Sequence, residues 1–231
     1  AGDDLVARSV RDRLRAARDA ARQARANIES AAEGRRIATL ALEARARGKL
    51  DTSAVIARYE EVTRLDPGEH WDWVELGRLY ADAGRLGDAK IAGQQAATTA
   101  ADDSDRSTAL DALGNVLVAQ GDLAAARRLY QASIEIDKRL AAVDPSSAAF
   151  QRYVSVSLEK LGDVLVAQGD LAAARRLYQE SLEIAKRLAA ADPSSAARQR
   201  DAWSSMWRLT RFPDSGITWQ QVVSVMEDMH R

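Results

Sequence analysis

Glu159 and Asp163 lie four residues apart, so any helix that carries them holds both carboxylates on one face, the arrangement a general acid and its base partner would need. The same spacing is commonplace on solvated helices. No serine with a nearby base, no glycine-rich phosphate loop and no cluster of metal ligands accompanies the pair, so catalysis is not expected. The two histidines, His70 and His230, stand too far apart in sequence to suggest a zinc site. Absence of cysteine excludes disulfides, thiolate nucleophiles and sulfur-ligated metals. No cofactor is implied.

The elements that carry these residues are helical. Of 231 residues, 46% are apolar and 29% charged, enough for a sizeable core inside a well-solvated surface. Ala, Leu, Arg and Glu abound, Pro occurs only four times, and no segment shows the alternation of a strand. The expectation is an all-α chain. No apolar run approaches the roughly 20 residues that span a bilayer, and the first residues lack the layout of a signal peptide, so a cytoplasmic location is the default. Residues 1–48 carry 11 Arg against 7 acids, whereas 49–231 carry 22 basic and 27 acidic residues. The two parts have opposite charge.

Segment 113–152 aligns on 161–200 with 34 identities in 40 positions, which marks one structural unit used twice at a period of 48. The unit reads as a helical hairpin. Val154, Leu158, Leu161 and Leu165 recur in helical steps, Gly169 ends that helix, and Asp170 is placed to cap the next. The second helix carries Leu171, Ala174, Tyr178, Leu182, Ala185 and Leu188 at helical spacing and ends before Asp192-Pro193. Gly162 and Ala174, with their copies Gly114 and Ala126, mark a close approach of the two helices.

The pattern Leu158, Leu161, Gly162, Leu165, Ala174 and Tyr178 resembles the tetratricopeptide repeat. Its copy is Leu110, Leu113, Gly114, Leu117, Ala126 and Tyr130, and an earlier unit reads Trp73, Leu76, Gly77, Tyr80, Ala89 and Ala96. The resemblance covers about 37–231 and implies a right-handed α-solenoid of antiparallel hairpins, a TPR-like superhelix. The family period is about 34 residues, and seven residues are about two helical turns, so adding seven to each arm keeps the buried stripe on its side. Hairpins are expected over approximately 34–67, 68–102, 103–145 and 146–193, with a degenerate capping unit over 194–231. The first of these reads as a worn copy with Ile37, Leu40, Ala41 and Ala44 on its stripe. In the capping unit, Met206, Leu209 and Thr210 stand where Leu158, Leu161 and Gly162 stand. A last helix starts at Thr218, boxed by Gln221, and presents Trp219, Val222, Val223, Met226 and Met229.

Residues 1–33 precede the array as a long Ala/Arg-rich helix, in which Val10, Leu14, Ala17, Ala21, Ala24, Ile28 and Ala31 form a seam. Ala buries little area, so packing onto the first hairpin is expected over an independent coiled-coil dimer. The Arg run is interrupted by Asp12, Asp19 and Glu29 and carries no aromatic for base stacking, so nucleic acid is not expected.

In the family the first helix of each pair lines a concave groove that holds a partner peptide. Carried over position by position, the resemblance selects Trp71, Arg78, Asp111, Asn115, Glu159, Asp163, Trp207 and Arg211. Asp111 and Glu159 stand where a carboxylate clamp would need Lys, so the middle of the groove is expected to be acidic, which directs attention to a basic or amphipathic helical segment, with Trp71 and Trp207 as apolar anchors. Trp203, Trp207 and Trp219 have an equal claim to plugging the open end of the core. The function implied is a protein-interaction scaffold. The alternative is a self-assembly or regulatory module of a larger bacterial signalling protein, acting as a homo-oligomer, since the chain begins at an arbitrary-looking Ala-Gly and ends without a stop signal.

Overall fold

Most helix starts in the chain follow from a side chain able to satisfy an unpaired backbone end. In the computed structural model, which describes the backbone of residues 2–228 and the side chains of 10–224 and 226, ten α-helices and no strand occur among the described residues. Met229 and His230 lie outside them. The chain divides into two units, Ala1–Thr99 and Ala100–Arg231.

The first unit holds α1 (Gly2–Ala46), α2 (Thr52–Leu65), α3 (His70–Asp82) and α4 (Leu86–Thr99), each packed against the next. Asp51 caps α2 by accepting from the Ala54 amide, and Glu69 caps α3. The helix expected to stop near residue 32 instead continues unbroken to Ala46, so one helix is both the long leading segment and the first arm of a hairpin. Gly34 does not break it. A Cβ there would come within 2.9 Å of Val62 Cγ2, so the glycine admits α2 to close range. Of the stripe anticipated in this arm Ala41 is buried and Ala44 partly so, but Ile37 and Leu40 are exposed and Ala31 and Ala38 are buried in their stead. Small residues face α2 because the two helices approach closely.

The second unit holds α5 (Asp103–Ala119), α6 (Leu123–Val143), α7 (Ala148–Ala167), α8 (Leu171–Ala191), α9 (Ala196–Leu209) and α10 (Trp219–Asp228), with a short 3-10 turn at Pro213–Ser215. Consecutive helices pack in order, so the second arm of one hairpin lies against the first arm of the next. This is an all-α, hairpin-stacked solenoid architecture. Asp122, Ser147, Asp170 and Ser195 cap α6, α7, α8 and α9 through side-chain oxygens. Thr218 and Gln221 form the expected box, with the Thr218 amide donating to Gln221 Oε1 at 2.8 Å. Gly121 and Gly169 adopt φ of 80° and 83°, a left-handed conformation that lets the chain turn from α5 into α6 and from α7 into α8.

Lengths bear out the two-turn account of the long period in the α7–α8 hairpin, whereas in α5–α6 only the second arm, with 21 residues, gains the full seven and α5, with 17, gains four over the 13 of α3. Helices α3 and α4 have 13 and 14 residues, and α7 and α8 have 20 and 21, seven more in each arm. The buried stripe of α7 is Val154, Leu158, Leu161 and Leu165, as its spacing predicts, and it meets Tyr178, Leu182 and Ala174 of α8. Leu171 is an exception, exposed at the start of α8 before the two arms close. Closure itself rests on Tyr over Gly. A Cβ on Gly162 would stand 2.5 Å from Tyr178 Cε1, and one on Gly114 would stand 2.5 Å from Tyr130 Cε1, so only glycine lets each buried ring lie flat on the facing helix.

At the end of the second unit Trp203 and Trp207 pack partly buried against the core. Trp219 does not join them and is mostly exposed.

Candidate functional site

The 48-residue period puts equivalent side chains on successive first arms, Asp111, Glu159 and Trp207 in one row and Asn115 and Asp163 in another, whose third equivalent, Arg211, lies in the turn just past the end of α9. Ion pairs show that α5, α7 and α9 stand side by side. Lys160 Nζ on α7 donates to Asp111 Oδ2 on α5 at 2.8 Å. Arg208 on α9 meets Glu159 Oε2 at 3.0 Å and Asp163 Oδ2 at 3.1 Å on α7, and Arg152 Nε on α7 donates to Asp201 Oδ2 on α9 at 2.6 Å.

The two rows have different exposure. Asp111 is buried and the Glu159 side chain nearly so, while Asn115, Asp163 and Arg211 face solvent. Asn115 Oδ1 accepts from Tyr130 Oη at 2.7 Å, and Asp163 Oδ1 accepts from Tyr178 Oη at 2.7 Å, so these two positions are fixed from below by the same tyrosines that close the hairpins. Burial, reinforced at Tyr178 by the neighbouring Asp163, pushes both phenols well above their usual range, keeping them as neutral donors. Trp207 breaks the buried row. It is half-buried, with the Arg211 guanidinium 4.6 Å from its ring centre.

Beneath the acids runs a polar seam that sequence reasoning missed. Ser107, Ser133 and Ser157 are buried and hydrogen-bonded across α5, α6 and α7, at 2.9 Å for Ser107 to Ser133 and 3.3 Å for Ser133 to Ser157. Asp137 on α6 is fully buried and accepts from Ser107 Oγ at 2.5 Å and Ser157 Oγ at 2.9 Å. Burial raises its pKa against the opposing effect of those serines. One period on, Ser155, Ser181 and Ser205 repeat the column at 2.8 Å and 3.2 Å, with Glu159 accepting from Ser205. Burial likewise raises Glu159, while Ser205 and Arg208 act in the other direction. The identical spacing of these serines in both copies, and of Lys160 and Arg208, was the available signal.

The acid and base suggested by Glu159 and Asp163 therefore do not stand free. Arg208 holds both, and Glu159 is further bonded to serines. An acidic middle was also expected, but Lys160 and Arg208 offset Asp111, Glu159 and Asp163.

In the first unit Trp71 and Arg78 lie on α3. Trp71 is half exposed, and its ring centre is 4.9 Å from that of His70. Arg78 is paired with Glu75 at 2.7 Å and Asp82 at 3.4 Å. Among the described residues no group of three or more potential metal ligands occurs, and no helix is long and apolar enough to cross a membrane.

A tetratricopeptide-repeat family model matches residues 106–143 and 154–193, the two hairpins α5–α6 and α7–α8. These two hairpins therefore carry the sequence pattern of tetratricopeptide repeats. Among solved structures it is similar to BtubC (BKLC) from P. vanneervenii, at 17% identity over 91% of this chain and 89% of that one, with a TM-score of 0.62. It is also similar to MamA, at 18% identity over 81% and 95% of the two chains with a TM-score of 0.51. A third likeness is to MamA 41-end from Desulfovibrio magneticus RS-1, at 16% identity over 87% and 95%, with a TM-score of 0.52. At these identities the likeness is one of fold. No curated protein matches the chain. Tetratricopeptide arrays are in general non-enzymatic scaffolds for protein–protein interaction.

Proposed function

We propose that the protein is a scaffold that takes up a segment of a partner protein, an amphipathic helix, along the first arms of its hairpins. The observation that carries this reading is the pair Asn115 and Asp163, exposed at the same position of successive first arms and braced by buried tyrosines and, at Asp163, by Arg208, with Arg211 exposed just past the end of α9. A surface held this rigidly loses little conformational entropy on binding. Asp111 and Glu159 serve it from beneath by orienting Lys160 and Arg208, and Trp207 adds an apolar contact beside Arg211. In the first unit Trp71 and Arg78 would play the corresponding part on α3. No catalytic role is assigned.

Site-specific photo-cross-linkers at Asn115 and Asp163, used in the native lysate, should capture one and the same partner segment. A cross-linker at exposed Glu135 on the second arm α6 should not capture it. Equal capture from Glu135, or different segments at the two first-arm positions, would refute the placement.

A further inference from the structure

Helix α1 has 45 residues and α2, its hairpin partner, has 14. At about 1.5 Å per residue, α1 reaches some 67 Å and α2 some 21 Å, so most of α1 extends past the helix that packs on it. The heptad series Ala24, Ala31 and Ala38 crosses that limit. Ala31 and Ala38 are buried, while Ala24 and everything before it on the seam are exposed. Val10 is 43% exposed, Leu14 55% and Ile28 52%. This corrects the expectation that the leading helix packs onto the first hairpin: the seam is packed at its C-terminal end and open over residues 10–28.

Numbering the seam as a heptad, with Leu14, Ala21 and Ile28 at a and Val10, Ala17 and Ala24 at d, fixes the flanks. Arg11, Arg18 and Arg25 fall at e, and Arg13, Ala20 and Asn27 at g. No acid occupies either flank over this stretch. Asp12 and Asp19 fall at f and Glu29 at b, on the outer side, where they make local pairs such as Arg25 with Glu29 at 3.3 Å.

That distribution argues against a second copy as the occupant. In a parallel pair of identical helices Arg13 would meet Arg18 across the seam, and in an antiparallel pair Arg would again meet Arg, with Ala facing Ala at the centre. Repulsion at the flanks would then combine with small apolar gain. A helix with large apolar side chains opposite Ala17, Ala21 and Ala24 and acids on its flanks reverses both deficits.

We propose that residues 10–28 of α1 form a docking strip for an acidic-flanked amphipathic helix of a partner protein, which extends the packing that α2 provides at Ala31 and Ala38. The strip is distinct from the first-arm row of the second unit, so failure of one proposal leaves the other standing.

The test uses the full chain and two synthetic helical probes of about four heptads. Both have Leu at a and d, one has Glu at e and g, and the other has Lys there. Fluorescence anisotropy should show the Glu-flanked probe binding at least tenfold more tightly. The paired substitutions Leu14→Glu and Ile28→Glu should abolish binding without lowering the thermal midpoint, because both side chains are exposed. The triple change Arg11→Glu, Arg18→Glu and Arg25→Glu should transfer the preference to the Lys-flanked probe. Absent binding, or equal affinity for the two probes, would overturn the proposal. So would concentration-dependent dimerisation abolished by Leu14→Glu, which would make a second copy the occupant, or tighter binding to anionic vesicles or duplex DNA than to the Glu-flanked probe.

Discussion

The polar seams of the two long hairpins answer the same packing problem with different charges. In the seam at α5–α7, Ser107, Ser133 and Ser157 surround fully buried Asp137, and Lys160 answers Asp111. In the seam at α7–α9, Ala185 stands where Asp137 would be, Ser155 donates instead to the Ser181 carbonyl at 3.2 Å, and the longer Glu159 meets Arg208 and the serines itself. Apolar stripe, serine column and tyrosine-over-glycine closure are common to both. The stacking geometry is therefore set by those shared parts, and the buried carboxylate of the first seam is an addition rather than a requirement.

The largest expected effect tests what is shared. Tyr130→Ala and Tyr178→Ala should each cost about 3–5 kcal/mol, the loss of a fully buried ring, and cost nearly the same in chemical denaturation. Unequal losses beyond about 1 kcal/mol would mean that the closures are not equivalent. Next, Arg208→Ala leaves Glu159, largely buried, without its cation and should cost about 3 kcal/mol, more than Lys160→Ala, since Arg208 also holds Asp163. Thermal unfolding of the two variants side by side would show the order, and a greater cost for Lys160→Ala would reverse the comparison.

The smallest effect addresses the difference between the seams. Asp137→Ala converts the first seam to the composition of the second and should change stability at neutral pH by no more than about 1 kcal/mol, as lost hydrogen bonds offset relief of a buried carboxylate. Its pH dependence is the sharper readout. The folded pKa of Asp137 is raised by burial, so the native state loses stability as pH rises from about 4 through that raised value. The variant lacks this loss, and its stability relative to the natural chain should increase over that interval. A flat difference would show that Asp137 titrates as it does unfolded.

Repetition made the hairpins legible. The period of 48, Gly114 and Gly162, and the caps at Asp170 and Thr218 fixed the helices and their close approaches from local spacing alone. The first arm was misread at Ile37 and Leu40 because hydrophobicity ranks them above Ala38, whereas close approach to α2 selects the smaller residue. Asp111, Glu159 and Asp163 were found by repeat position, but their cations were not. Lys160 lies 49 residues from Asp111 and Arg208 45 from Asp163, separations at which no helical periodicity operates. Only stacking brings them together.

The matched seven-residue growth of α7 and α8 over α3 and α4 has a bearing on how such an array is built. An insertion of seven in one arm alone would leave two turns of apolar surface with nothing opposite. Intermediate steps would thus be penalised, and copying a finished tall hairpin entire avoids them. A gene that lengthens by whole hairpins moves between stable proteins without crossing an unstable one.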